Sequence, residues 1–293
     1  MVRGPRRPYG ELMLPVVLLH GSRTSATMWR RQVDALHAAG VTVVAPDLPG
    51  HGSRRDVPFG LDDAVATVGD AVDSVGGRAL VVGLSLGGYV GIEHRARRPE
   101  QCAGLVAASC CTSPDTPLRA AWLRLARWIE RWPDSGAWLN DTFVRGMLDE
   151  ASVRDLAAGG FALDAMGDVL VEVGALDTRR ALAAADSPVR LVNGQWDHFR
   201  GHERSMLAAA RSSGADARLV IVPRARHLVS LDAPVAFSRA VLEAHAACAG
   251  YGRGRSHART PPTSAAEFGT TTTSSPSRAS AVAVRRRELP PPT

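Results

Sequence analysis

Three residues in this chain could together break an acyl bond: Ser85, Asp197 and His227. Ser85 is the centre of Gly83-Leu84-Ser85-Leu86-Gly87, a G-x-S-x-G pentapeptide. A serine hydroxyl is a weak nucleophile until a base takes its proton, and the base needs a carboxylate to orient it. His227 offers the base and Asp197 the carboxylate. Alone, the pentapeptide is a weak signal, because a glycine-rich turn with a surface serine is spelled the same way. Its setting has to decide.

That setting is a strand, a tight turn and a helix. Leu80, Val81 and Val82 form an apolar run suited to a strand buried on both faces. From Ser85 the pattern reads as a helix to about Arg97, stopped by Pro99. Small flanks at Gly83 and Gly87 leave room for strand and helix to approach. The helix N-terminus sets free N–H groups and a partial positive charge beside the serine oxygen. Asp197 ends Asn193-Gly194-Gln195-Trp196-Asp197, just past the apolar run 189–192. His227 ends Pro223-Arg224-Ala225-Arg226-His227, just past the run 219–222. In an open parallel sheet the C-terminal strand ends share one edge, where ligands bind. All three residues are expected there. The competing expectations are a plain turn-forming role for Asp197, a simple surface His227, a helix-start or surface role for His198, and an exposed helix position for His94.

The remaining elements follow from periodicity. Apolar runs at 16–19, 41–45, 80–82, 105–108, 189–192 and 219–222 predict six strands. Helices are predicted at 27–39, 61–75, 85–97 and 233–246 and between the last two strands. Alternation of this kind predicts an α/β fold: a mostly parallel central sheet with helices on both faces. It breaks between Thr112 and Asp186. There Leu118, Trp122, Leu125, Ile129 and Trp132 fall within about 80° on a helical wheel. Four of the six tryptophans lie in this stretch, which reads as an inserted helical cap over about 112–186. The tryptophan stripe is expected mainly to pack cap on core.

Composition bounds the partners. All 35 basic residues are arginine, and residues 251–293 hold 7 of them against 2 glutamates, so nearly all of the net charge of +6 belongs to the C-terminal tail. The body of the chain therefore gives no reason to expect a nucleic-acid partner. Residues 1–249 are expected to form the folded domain, and 250–293, rich in Thr, Ser, Pro and Arg without apolar periodicity, a disordered tail. No apolar run reaches 18 residues, and the segment 13–19 reads as a core strand rather than a signal peptide. Cys102, Cys110, Cys111 and Cys248 show no C-x-x-C or zinc-like spacing and are expected to be reduced, partly buried thiols. The expectation is a cytoplasmic protein with no metal and no membrane contact.

The motifs taken together resemble the α/β-hydrolase family, in its single-domain, lidded members related to esterases and carbon–carbon bond hydrolases. The resemblance is carried by His20-Gly21, Asp47-Leu48-Pro49-Gly50-His51-Gly52-Ser53, Gly83 to Gly88, Gly194-Gln195-Trp196-Asp197, and His227 with Asp232 and Pro234 downstream, over about residues 15–249. It implies Ser85 as nucleophile, His227 as general base and then acid, and Asp197 as the orienting carboxylate. It also implies an oxyanion hole from the backbone N–H groups of Ser22 and Leu86. Asp115 is the competing acid, because some members place the carboxylate after the preceding strand. His20, His51 and Asp47 are implied to tie loops together. No cofactor is implied, and the partner is a small, largely apolar substrate. Lyase or haloperoxidase-like chemistry, or non-catalytic ligand binding, are the other uses of such a scaffold. The family also begins with a β-hairpin, for which little chain precedes Val16.

Overall fold

Strand β1 (Val16–Leu19) lies second from one edge of a six-stranded, wholly parallel sheet of order β2-β1-β3-β4-β5-β6. The partners are β2 (Val43–Val44), β3 (Ala79–Leu84), β4 (Cys102–Ala108), β5 (Val189–Gly194) and β6 (Ala217–Val222). The computed structural model describes residues 13–114 and 117–258. The reading of residues 1–12, of Asp115 and of the tail from 259 onward lies outside them.

All six predicted strands are present. β2 is shorter than the run 41–45, since only Val43 and Val44 pair with β1 at this edge. The central strands are apolar on both faces because each face meets helices. Val17, Leu19, Val81, Leu105 and Leu191 join one core cluster with residues of α2 (Leu61–Ser74), α3 (Leu86–Arg97) and α9 (Glu203–Ser212). Val16, Leu18, Val82, Val106 and Val192 join another with residues of α1 (Arg30–Ala38) and α11 (Pro234–Ala258). Odd and even positions thus face opposite layers, the period-2 geometry of a strand. Helix α11 runs past the expected end at 246 and past the 249/250 domain boundary, as far as Ala258.

Between β4 and β5 the chain forms only helices: α4 (Pro117–Ile129), α5 (Ala137–Met147), α6 (Glu150–Ala157), α7 (Met166–Gly174) and α8 (Thr178–Ala183). Helix α8 packs on α3 and α9, and Ala181 and Leu182 enter the main core. Helix α8, expected as part of an inserted cap over about 112–186, thus packs into the main body. The cap is fastened to the body by Arg31 on Asp149 (3.0 Å), Arg55 on Asp164 (2.7 Å) and the Ala162 N–H on the Arg23 carbonyl (3.1 Å).

Two expectations are corrected. Trp122, Trp128 and Trp138 are 53%, 56% and 70% exposed, so they do not pack cap on core. Helix α4 rests on α7 rather than on the sheet, and a single layer beneath it cannot cover the whole stripe. Trp128 instead meets Trp132 edge to face, with ring centroids 5.0 Å apart. His94 is fully buried, with Nε2 3.0 Å from Gln101 Oε1. Its helix is covered on nearly every side, so no residue from Leu86 to Arg95 stays exposed.

Candidate active site

Ser85 sits between β3 and α3 with φ 52° and ψ −111°, a conformation that costs a non-glycine residue about 1–3 kcal/mol. The surroundings enforce it. The Ser85 N–H donates to the Ala108 carbonyl at the end of β4 (2.8 Å), and the Gly87 N–H donates to the His20 carbonyl at the end of β1 (3.1 Å). A Cβ on Gly83 would overlap the Gly87 carbonyl, and one on Gly87 would overlap the Leu19 carbonyl. Both flanking glycines are thus required by close approach of backbone to backbone rather than by a left-handed φ.

His227 joins the serine to the carboxylate. Its Nε2 is 3.2 Å from Ser85 Oγ and its Nδ1 is 3.0 Å from Asp197 Oδ1. An ionised carboxylate can only accept, so Nδ1 carries the proton and Nε2 is free to accept from the serine hydroxyl. The Asp197 side chain is wholly buried. Burial pushes its carboxyl up, but the His227 hydrogen bond and charge and the Phe199 N–H outweigh this, with the nearby Ser109 hydroxyl adding to the effect, and hold it below the usual carboxylate range. Oδ1 also accepts from the Phe199 N–H (2.9 Å), so Asp197 forms its own turn and meets His227 with the same oxygen.

Three features that bring these residues together are hard to see in the sequence. A Cβ on Gly194 would collide with the carbonyls of Ala225 and Arg226, so the glycine lets the Asp197 and His227 loops touch. Asp232 accepts from the Arg226 N–H (2.7 Å) and pairs with its guanidinium (3.0 Å), anchoring the loop just before His227. Asn193 links two strand ends, accepting from the Ser109 N–H (3.1 Å) and donating to Glu203 (2.7 Å). The sequence pattern singles out Asn193, Gly194 and Asp232 only as parts of longer stretches.

The turn after β1 lies against the serine. A Cβ on Gly21 would be 3.8 Å from the Ser85 Cβ. The N–H groups of Ser22 and Leu86 meet no acceptor among the described residues. His20 shapes this turn: Nδ1 lies 2.9 Å from the Gly21 carbonyl, and Nε2 accepts from the Leu48 N–H at 2.9 Å. Asp47 accepts from Ser53 N–H and Oγ (both 2.8 Å) and from the Ala26 N–H (2.8 Å). His51 Nδ1 lies 2.8 Å from the Pro49 carbonyl. His198 is an exposed neighbour whose ring centroid lies 5.2 Å from that of His227.

The four cysteines are free and all buried, more fully than expected. Burial pushes the thiol of Cys102 up to about 11 and those of Cys111 and Cys248 up to about 12, away from reactive thiolate character. Among the described residues no three His, Cys, Asp or Glu side chains converge as a metal site would need. No helix there is long and apolar enough to cross a membrane.

Fold and site together define a class: a parallel α/β scaffold with a serine on the strand–helix elbow and a histidine–aspartate pair at the same sheet edge. The description "Alpha/beta hydrolase family" matches residues 16–240, and the chain belongs to that family. Lipase LipV of Mycobacterium tuberculosis is 38% identical over 93 residues, 31% of this chain and 35% of that protein. The 2-succinyl-6-hydroxy-2,4-cyclohexadiene-1-carboxylate synthase of Enterobacter sp. is 29% identical over 205 residues, 65% of this chain and 76% of that protein. A solved hydrolase from Pseudomonas aeruginosa superposes with a TM-score of 0.66 at 25% identity, covering 80% of this chain and 91% of that one. The first curated relatives are matched over only about a third of their own length, 35% and 28%.

Proposed function

We propose that this protein is a cofactor-free serine hydrolase that cleaves an ester or related acyl-type bond of a small, largely apolar molecule. The observation that carries the reading is the unbroken hydrogen-bonded line from Ser85 Oγ through His227 to the buried Asp197 carboxylate. Ser85 Oγ attacks the acyl carbon as its proton passes to His227 Nε2. Asp197 steadies the imidazolium. The N–H groups of Ser22 and Leu86 hold the oxyanion, each such donor contributing about 3–4 kcal/mol to the transition state. His227 then protonates the departing alcohol. Water, deprotonated by the same nitrogen, releases the acid and restores the serine.

The esterase and lipase names among the relatives support this chemistry. Neither nucleic acid nor membrane enters the reading, and the buried free thiols support a reducing, cytoplasmic setting. The test is labelling of the purified protein with a fluorophosphonate probe and mapping of the adduct by mass spectrometry. Modification of Ser85 is expected; an intact fold with no adduct there overturns the reading. A relative named as a synthase favours a second one, lyase chemistry on the same scaffold. Turnover of short acyl esters that disappears in Ser85→Ala excludes it.

A further inference from the structure

We propose that Arg23 makes this site selective for acyl substrates bearing a carboxylate, with its guanidinium as the counter-ion; the inference rests on the reading of Ser85 as the reacting centre.

The residue is unusual in three independent ways. First, Arg23 directly follows Ser22, one residue from the N–H assigned to the oxyanion, and the cap grips this turn from above. The Arg23 carbonyl accepts from the Ala162 N–H (3.1 Å), and Ser22 Oγ donates to Met166 Sδ (3.4 Å). Secondly, its φ is 64°, in the left-handed region that favours glycine or asparagine, so a long charged side chain is held where the backbone disfavours it. Thirdly, the side chain is half-buried, and burial pulls its pKa down from the ordinary arginine value.

Among the described residues no carboxylate, carbonyl or hydroxyl lies within hydrogen-bonding distance of its guanidinium. The other arginines withdrawn from solvent all have partners. Arg95 donates to the Ser187 hydroxyl and to carbonyls, Arg190 pairs with Asp216, Arg200 with Glu203 and Arg226 with Asp232. A desolvated, unpaired charge is unfavourable, and a bound anion beside it removes the penalty. The planar guanidinium fork matches a carboxylate through two parallel N–H···O bonds. A single positive charge balances a monoanion, whereas a phosphate dianion would leave charge uncompensated.

The experiment compares two esters of equal length, monomethyl adipate and dimethyl adipate, at pH 7.5. For the unaltered protein kcat/KM is expected to favour the monoanion by at least about tenfold, and added salt should shrink the ratio. In Arg23→Gln the preference should fall to about one or invert, mainly through a higher KM for the monoanion. Arg23→Lys should recover part of it, because charge returns without the fork. Circular dichroism and probe labelling of Ser85 check that each variant is folded. Equal rates on both esters in the unaltered protein, or a preference that survives Arg23→Gln, overturn the inference. If neither ester turns over and Ser85 is not labelled, the hydrolase reading has failed instead. Calorimetric titration with adipate then decides Arg23 by itself: binding lost in Arg23→Gln supports it, and no binding or unchanged binding overturns it.

Discussion

Gly83 and Gly87 touch across the elbow: a methyl group on the first would occupy the space of the carbonyl of the second. The contact draws the end of β3 against the start of α3 and leaves Ser85 on a turn with φ 52°. Two glycines four residues apart thus set the attitude of the Ser85 hydroxyl by excluding every larger side chain.

Gly83→Ala should therefore cost about 1–3 kcal/mol or more, because the obstruction is backbone that cannot move aside. Gly40→Ala is the control. Gly40 has φ 78° and open space around it, so it should cost only about 1 kcal/mol from the backbone. Urea unfolding of both variants measures this; equal midpoints would show that the close approach has no energetic weight.

Ser85→Ala and His227→Ala should each lower kcat on a short acyl ester by about 10⁶, since removing either member disables the unit. Asp197→Asn should lower it by about 10⁴, because an amide N–H facing Nδ1 favours the wrong tautomer of His227. Steady-state kinetics on folded variants gives these values.

Acid should weaken the fold through His20. Burial, then the neighbouring His51, lower its pKa from 6.5 to about 4, although the Gly21 carbonyl and Asp47 pull the other way. The geometry agrees, because Nε2 accepts from the Leu48 N–H and a proton there would set two donors face to face. Between pH 6.5 and 4 the unfolded chain takes up a proton that the folded chain refuses. Stability is then fully present above pH 6.5 and falls by about 3 kcal/mol on the way to pH 4. Unfolding free energies at pH 7 and pH 4.5 should show the loss, and His20→Gln should reduce it without abolishing it, because burial also lowers the pKa values of His51 and His94.

Asp232→Ala should reduce kcat more than it changes KM. Asp232 touches no substrate in the proposed reaction; it holds Arg226, the residue before His227. Losing its charge-assisted bonds should also cost about 1.5–3 kcal/mol of stability. Kinetics paired with thermal unfolding separates the two effects, and a variant that changes KM alone would contradict the anchoring role.

Much of the fold was legible because a parallel strand covered on both faces must be an apolar run, and six such runs stand in the chain. The Ser85, Asp197 and His227 positions were legible for a related reason. Each follows a strand, and parallel strands deliver their ends to one edge. His94, the exposed tryptophans and the place of α8 were not legible. Helical spacing tells which residues share a face, but it does not tell what lies against that face.

By itself the sequence determined the strand count, the elbow and the order of the three polar residues, because local stereochemistry and apolar periodicity are written residue by residue. Only the tertiary structure decided that Gly194 makes room for the loop of Ala225 and Arg226, that Asp232 fastens the loop carrying His227, and that Arg23 is half-buried with no hydrogen-bond partner among the described residues. Those facts depend on distances between segments far apart in the chain. Burial and pairing are properties of the space between such segments, and that space exists only once the chain has closed around it.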